Sequence, residues 1–483
     1  MERTRRSWLI WAAVAAGLLL RGYHYARDPA VWHDEAAMLA NVLNLPVSGW
    51  LGPLLHDEAS PPLFLLLQKA VVAILGDSQY ALRLPSFLAG CLSVVVTAVV
   101  ARRWLPPVWA AVAVGLVAVS DRLLFHACEA KSYSFDVLLA GGAIWFVTKD
   151  RWPMWVRSLI GAATAPLCIW IAFPACFVFG GVLTALLPSA WRANWAGKAA
   201  FVAFALSVGV SFGLLVVGPA KAQRTPDMDA CWERGSFPPW EEPAKVPVWA
   251  VANSFDVVRY NFHPYGWPLL VPVLVGAWAV SRKPGGWAVA CAALLPMPLA
   301  LLAALLGKYP YSASRLEAFL APGLALLAAV GLWQFWNWCR PTAAKVAFLL
   351  IWVPVLLIPV GYTARRVIDP WPRPAADRAA EYVLSHRAAD EPINANHWEY
   401  EYYLRRVNPA VVRVEHNPSK AKTPWADWAG NWAKAATPPK IWYVHQTDDP
   451  LPELPPDALP PGYRCEPPIT FDRVRVWVLV PEK

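Results

Sequence analysis

Eleven apolar runs, each close to the length a helix needs to cross a bilayer, constrain this chain more than any motif does. They lie near 7–22, 82–101, 106–120, 133–148, 156–172, 175–188, 199–218, 267–281, 287–306, 317–337 and 345–363. A hydrocarbon core needs about 20 mostly apolar residues per helix, fewer where the ends are buried in protein. Charged residues make up only 16% of the chain, against about a quarter in soluble domains. The fold class expected is therefore mainly α, a polytopic transmembrane helix bundle of about 11 spans. Many of the 29 tryptophans stand at the ends of the runs, where amphipathic rings favour the membrane interface. The net charge of +9 does not point to nucleic acid, because the basic residues are scattered through short connections without a basic tract.

Residues 1–20 join a basic start to an apolar core, as a signal peptide does. No small-x-small cleavage site follows, since "RGYHYARDP" comes next. Retention as a first transmembrane helix is expected.

Orientation follows from lysine and arginine in short loops. "MERTRR", "ARRW", "TKDRWPMWVR", "WRANWAGK", "SRKPGG" and "NWCRPTAAK" are the basic connections. With the spans as read, all six fall on one side. The N-terminus is then cytoplasmic, and the C-terminus lies across the membrane. Residues 23–81, 121–132, the turn near 173, 219–266 and 307–316 fall on the far side. This places the protein in the cytoplasmic (inner) membrane, with its far-side loops and C-terminal domain extracytoplasmic.

The run "PLFLLLQKAVVAIL" at 62–75 is short and contains Lys69. As a span it would invert every later loop, so it is read as an interfacial helix of the first outer loop. "EAAMLANVLNL" at 35–45 is a second, because its apolar residues recur at helical spacing. Residues 1–370 thus form a transmembrane domain. In 371–483, helical patterns ("ADRAAEYVLSHR", "EYEYYLRR") alternate with strand-like ones ("VVRVEH", "KIWYVH", "RVRVWVLV"). A small α/β extracytoplasmic domain is expected there.

The eight cysteines lack metal-type spacing. Cys91, Cys168, Cys176, Cys291 and Cys339 read as small packing residues. Cys231 and Cys465 fall in polar far-side segments; their pairing stays open, because spacing does not fix connectivity.

The polar residues worth naming lie mostly in the far-side loops. The first loop carries "DPAVWHDEAAMLA", with Asp34 and Glu35, then "HDEASPPLFLLL", with His56, Asp57, Glu58 and the Pro61-Pro62 pair. The loop before the fourth span reads "DRLLFHACEAKSYSF", with His126, Glu129, Lys131 and Tyr133. The 307–316 loop supplies Lys308, Tyr309 and Arg315. Acids near hydrocarbon are expensive and usually functional. Each also has a plainer reading. Asp34 can cap a helix beginning at Glu35. His33 and His56 can be surface polar residues, and Pro61-Pro62 a helix start. Lys131 and Arg315 can snorkel or bind lipid phosphates, and Tyr133 can belong to the aromatic belt.

The ordered set is more specific than its members. An N-terminal span, "DE", "PPL", "LRLPS", "EAKSY" opening a later span, and "SRLEAFLAPGLALLAA" together resemble the multi-span glycosyltransferases of the GT-C superfamily. The resemblance covers about residues 7–365. Two departures stand out: Ser60 precedes the proline pair where relatives often have His, and Lys131 stands where Arg is common. A lysine pairs with phosphate as a point charge without the bidentate fork.

The resemblance implies a polyprenyl-phosphate-linked sugar as donor. The acceptor would be a glycan, lipid or protein on the extracytoplasmic face, and transfer would invert the anomeric carbon. It implies Asp34 as the catalytic base, with Glu35 beside it, since a carboxylate in reach can take the proton of a weakly nucleophilic hydroxyl. Lys131, Arg315, Lys308 and Arg83 are the candidates for the donor phosphate, whose growing charge cations stabilise. Glu58, Glu129, Tyr133 and Tyr309 are candidates for substrate binding. The cofactor is left unknown; a divalent metal is not required, with His56 and Glu58 as candidate ligands. Membrane lipids are the other expected partner. The alternatives are a secondary transporter, which would show repeated halves and mid-membrane charges, and a polysaccharide polymerase or ligase.

Overall fold

The computed structural model describes residues 7–232, 235–414, 439–446 and 459–482. They fall into two compact units. The first comprises Met1–Arg27, Val47–Pro53 and Ala59–Pro370, and the second Asp28–Pro46, Leu54–Glu58 and Trp371–Lys483.

The first unit is helical, and each of the eleven apolar runs folds as helix. Among the described residues, six helices are long and apolar enough to cross a membrane. They are Gln79–Trp104, Met154–Ile171, Trp195–Ala222, Gly286–Leu305, Arg315–Trp338 and Thr342–Ile368. A bent pair, Pro107–Ala118 and Asp121–Ala127, makes a seventh if counted as one span. Pro62–Leu75, Tyr133–Val147, Ala175–Trp191 and Trp267–Ser281 are shorter apolar helices. The chain is an integral membrane protein.

Local chemistry sets several helix ends. Ser78 caps Gln79–Trp104 by accepting the Ala81 N–H at 3.3 Å, and Arg102 and Arg103 occupy its last turn, where cations suit the helix dipole. Arg21, fully buried in the Trp8–Ala26 helix, donates to the carbonyls of Val117 and Ala118 at 3.2 Å. Those carbonyls lie where Pro107–Ala118 ends and lack intrahelical partners.

Burial grades the helices from centre to rim. The most apolar window of Arg315–Trp338 is 89% buried, and that of Thr342–Ile368 only 11%. The buried helix meets Leu270–Ser281 through two glycines. A Cβ on Gly276 would collide with the Leu327 carbonyl, and one on Gly331 with the Pro272 carbonyl. Small residues let backbones approach where apolar solvent gives helices little reason to associate.

Among the described residues, the second unit is built on a six-stranded sheet. Its strands are β1 (Ile393–Ala395), β2 (Val412–Val414), β3 (Ile441–Gln446), β4 (Tyr463–Cys465), β5 (Ile469–Phe471) and β6 (Val474–Pro481). The order is β2-β1-β3-β6-β4, with β5 also paired to β6. β1 runs parallel to β2 and β3, whereas β3, β4 and β5 run antiparallel to β6. The amphipathic helix Ala376–His386 buries Ala379, Ala380 and Val383 in this unit's core. All three strand-like patterns are strands, although the end of "VVRVEH" lies outside the described residues. Cys465 is a free, exposed cysteine; the side chain of Cys231 lies outside the described residues.

The His33–Asn44 helix, from the first loop, also belongs to this unit. It corrects the reading of Asp34 as its cap. The N-cap position is Trp32, so Asp34 stands at the second helical position and Glu35 at the third. Glu35 reaches back to accept the Trp32 N–H at 3.4 Å, as a third-position carboxylate does in a capping box.

Candidate active site

In the first unit the chain gathers cations near one end of the helices. Arg83 lies in the second turn of Gln79–Trp104 and is 2% exposed. One turn on, the Ser86 hydroxyl donates to the Lys131 carbonyl at 2.7 Å. This pins the 128–132 connection against the helix face that carries Arg83, because residues three apart share a face. Lys131 is 5% exposed. Arg315, at the start of the central helix, sets its guanidinium 5.9 Å from the ring centres of both Tyr133 and Trp232. Burial removes screening water, so such cations act strongly on a nearby anion.

Glu129 belongs to this cluster, but a neighbouring histidine engages it. His126 Nδ1 lies 2.5 Å from the Glu129 carboxylate, and His126 Nε2 lies 2.7 Å from the Tyr260 hydroxyl. The three side chains, two of them buried and Tyr260 half-buried, form a chain beside Tyr133, whose ring centre is 5.0 Å from that of His126. Burial pushes the Tyr260 phenol well above its ordinary value. Sequence reasoning missed Tyr260, which sits 134 residues from His126 in a segment read as loop.

Tyr309 is brought to the core rather than to the cluster's surface. Its hydroxyl donates to the Leu316 carbonyl at 2.8 Å, and its ring meets Phe177 at 5.0 Å. Burial raises its pKa well above the ordinary phenol value. Lys308 is exposed.

The other acidic candidates, Asp34, Glu35 and Glu58, lie in the second unit. Glu35 is fully buried, and Arg373 Nη1 donates to its carboxylate at 2.8 Å. The same nitrogen donates to the Ala30 carbonyl at 2.8 Å. The Tyr403 hydroxyl accepts the Val31 N–H at 2.7 Å, and the Trp398 indole donates to the His33 carbonyl at 2.8 Å. The backbone entering the helix is thereby held from both sides. Asp34, at the next position, is partly exposed and lies 3.3 Å from His33 Nε2.

His56 stacks on Trp398, with ring centres 5.3 Å apart, and its Nε2 lies 3.1 Å from the Glu401 carboxylate. His56 and Asp57 both adopt left-handed backbone, at φ 60° and 51°. Such strain outside glycine persists only where the surroundings enforce it. Asn41 helps to do so: its side chain accepts the Leu55 N–H at 2.8 Å and donates to the Leu55 carbonyl at 3.1 Å. Glu58 closes the same turn, its N–H donating to that carbonyl at 3.4 Å, and is buried. Among the described residues, no group of three His, Cys, Asp or Glu is arranged to hold a metal ion.

The helical bundle, followed by a mixed-sheet unit, is a fold shared with solved structures. The particular structure it matches at TM-score 0.56 is ArnT from Cupriavidus metallidurans bound to undecaprenyl phosphate. The two are 16% identical, and the match covers 97% of each chain. The apo form of the same protein matches at the same score with 14% identity. A weaker likeness, at 0.48 and 12% identity, is to the Archaeoglobus fulgidus oligosaccharyltransferase tethered with an acceptor peptide; it covers 90% of this chain and 69% of that one. No family model and no curated protein sequence matches the chain.

Proposed function

We propose that this protein is a membrane glycosyltransferase that moves a sugar from a polyprenyl-phosphate-linked donor to an acceptor hydroxyl on the extracytoplasmic side. The observation that carries this reading is the pair of buried cations, Arg83 and Lys131, with Arg315 over Tyr133, in a chain with the fold of ArnT. That ArnT structure holds undecaprenyl phosphate, which supports a lipid phosphate as the anion these cations receive. The acceptor is a glycan, lipid or protein. The proposed membrane arrangement has eleven spans over residues 1–370, basic connections in the cytoplasm, and residues 371–483 outside the inner membrane.

The reaction is a single displacement. The acceptor oxygen attacks the anomeric carbon and its proton passes to the Asp34 carboxylate. The bond from that carbon to the phosphate oxygen breaks, with inversion, and the electron pair leaves on the polyprenyl phosphate. Arg83, Lys131 and Arg315 stabilise the charge that grows on the leaving phosphate. Glu35 holds the helix start that presents Asp34 and does not itself take the proton.

The test replaces Asp34 by Asn and measures sugar transfer in membranes supplied with a polyprenyl-phosphate sugar. Loss of general-base catalysis lowers the rate by about 10²–10⁴-fold. Wild-type rates at normal protein levels would remove Asp34 from this role.

A further inference from the structure

The first unit has a charged cavity at the end that carries the basic connections. Its volume is about 680 Å³, and among the described residues Arg102, Arg103, Arg157 and Lys283 line it together with one carboxylate, Asp150. Arg103 lies 3.1 Å from Asp150, so the lining keeps a surplus of positive charge. Arg83 and Arg103 stand 20 residues apart on one helix, about 30 Å at 1.5 Å per residue. The cavity is therefore remote from the cations of the candidate active site.

Arg157 is the unusual member. It is 7% exposed and lines the cavity from the first turn of Met154–Ile171, yet its Nε is buried without a hydrogen-bond partner. A buried charged group left short of hydrogen bonds is costly, and an anion in the cavity would remove that cost. Two of the other cations lie against tryptophan rings. Lys283 Nζ sits 4.5 Å from the ring centre of Trp333, and the Arg102 guanidinium 5.3 Å from that of Trp11. Leu105, Val147, Leu186 and Trp333 add apolar wall.

We propose that this cavity binds a phosphate group. Several cations converging on one space suit an anion with several oxygens, and the planar guanidinium fork suits phosphate oxygens in particular. The volume exceeds what a bare phosphate fills and lies in the range of organic ligand sites. The group is supplied either by the headgroup of an anionic lipid in the adjoining leaflet or by a free phosphate.

The experiment uses the full chain, purified in detergent and stripped of lipid. One arm titrates inorganic phosphate against chloride of equal ionic strength and follows thermal unfolding by tryptophan fluorescence. The other adds short-chain phosphatidylglycerol, with phosphatidylcholine as control, and counts bound lipid by native mass spectrometry. Saturable binding in the first arm assigns free phosphate; binding of phosphatidylglycerol alone assigns a lipid headgroup. Arg157→Met weakens whichever binding is seen at least tenfold, and Lys283→Met weakens it severalfold. Should Arg157→Met fail to fold, the half-buried Lys283 decides the matter. No saturable binding in either arm, or wild-type affinity in the variants that fold, overturns the proposal.

Discussion

Arg373 donates to the buried carboxylate of Glu35 at 2.8 Å, across 338 residues of sequence. The same carboxylate accepts the Trp32 N–H at the start of the helix that carries Asp34. Adjacent acids that look equivalent in "HDEA" are thus divided by their surroundings. Glu35 is consumed by structure, and Asp34 is the member left partly exposed.

Breaking the Glu35–Arg373 pair from one side leaves a buried charge uncompensated, at a cost of about 3–5 kcal/mol. Arg373→Ala is expected to lower the unfolding temperature of the detergent-solubilised protein and to open the 28–46 segment to protease. The double change Glu35→Gln with Arg373→Met removes both charges and should recover much of the loss. Equal damage in the single and double variants would show that the pair does not hold this segment.

The helices were legible because membrane spans declare themselves by length and apolarity, which is local information. The same holds for "KIWYVH" and "RVRVWVLV", whose β-branched and aromatic residues announce strands. The Glu35–Arg373 and His126–Tyr260 pairs were not legible, because each joins segments that only the fold brings together. The cap of the first-loop helix was misplaced for a smaller reason. Asp34 is a better intrinsic cap than Trp32, but Glu35 supplies the capping carboxylate from the third position. The preference for aspartate at a helix start was correct, and its register was off by two residues.

Tyr309 gives the fold an alkaline limit. Burial, with the Glu317 carboxylate adding to it, raises the phenol well above 10.0. The folded state therefore keeps the proton after the unfolded chain has lost it. The stability that this proton supplies is complete below pH 10 and is lost as the pH climbs toward the folded value. The slope is about 1.4 kcal/mol per pH unit per proton. Tyr309→Phe forfeits the hydrogen bond to Leu316, worth about 1 kcal/mol at neutral pH. Between pH 10 and 11 its unfolding temperature should fall less steeply than that of the wild type. Parallel curves for the two proteins would remove Tyr309 as a cause of alkaline sensitivity.

Gly331 and Gly276 test the packing of the central helix. Each faces a carbonyl of the opposing helix at a distance that no Cβ can share. Gly331→Ala must push the helices apart or shift the backbone, at about 1–3 kcal/mol. A lowered unfolding temperature is expected, with reduced yield of folded protein from membranes. Gly361, whose Cβ would meet nothing within 4 Å, is the control, and Gly361→Ala should be neutral or slightly stabilising. Similar behaviour of the two variants would mean that the close crossing is not a source of stability.

Lys131 tests whether the buried cations serve the donor. The carbonyl of Lys131 is held by Ser86, so a change at its side chain leaves the anchoring of the connection in place. If the ammonium stabilises the leaving phosphate, Lys131→Ala lowers kcat/KM for the lipid-linked donor. Charge-assisted contacts of this kind are worth about 1.5–3 kcal/mol, roughly 10- to 150-fold in rate. Lys131→Arg restores the charge and offers a fork to the phosphate, so it should retain most of the activity. Ser86→Ala loses only the anchor, and should lower the unfolding temperature more than it changes donor dependence. Steady-state transfer measured over a range of donor concentrations separates these outcomes. An unchanged donor dependence in Lys131→Ala, at normal protein levels, would take Lys131 out of the phosphate site and leave Arg83 and Arg315 as its cations.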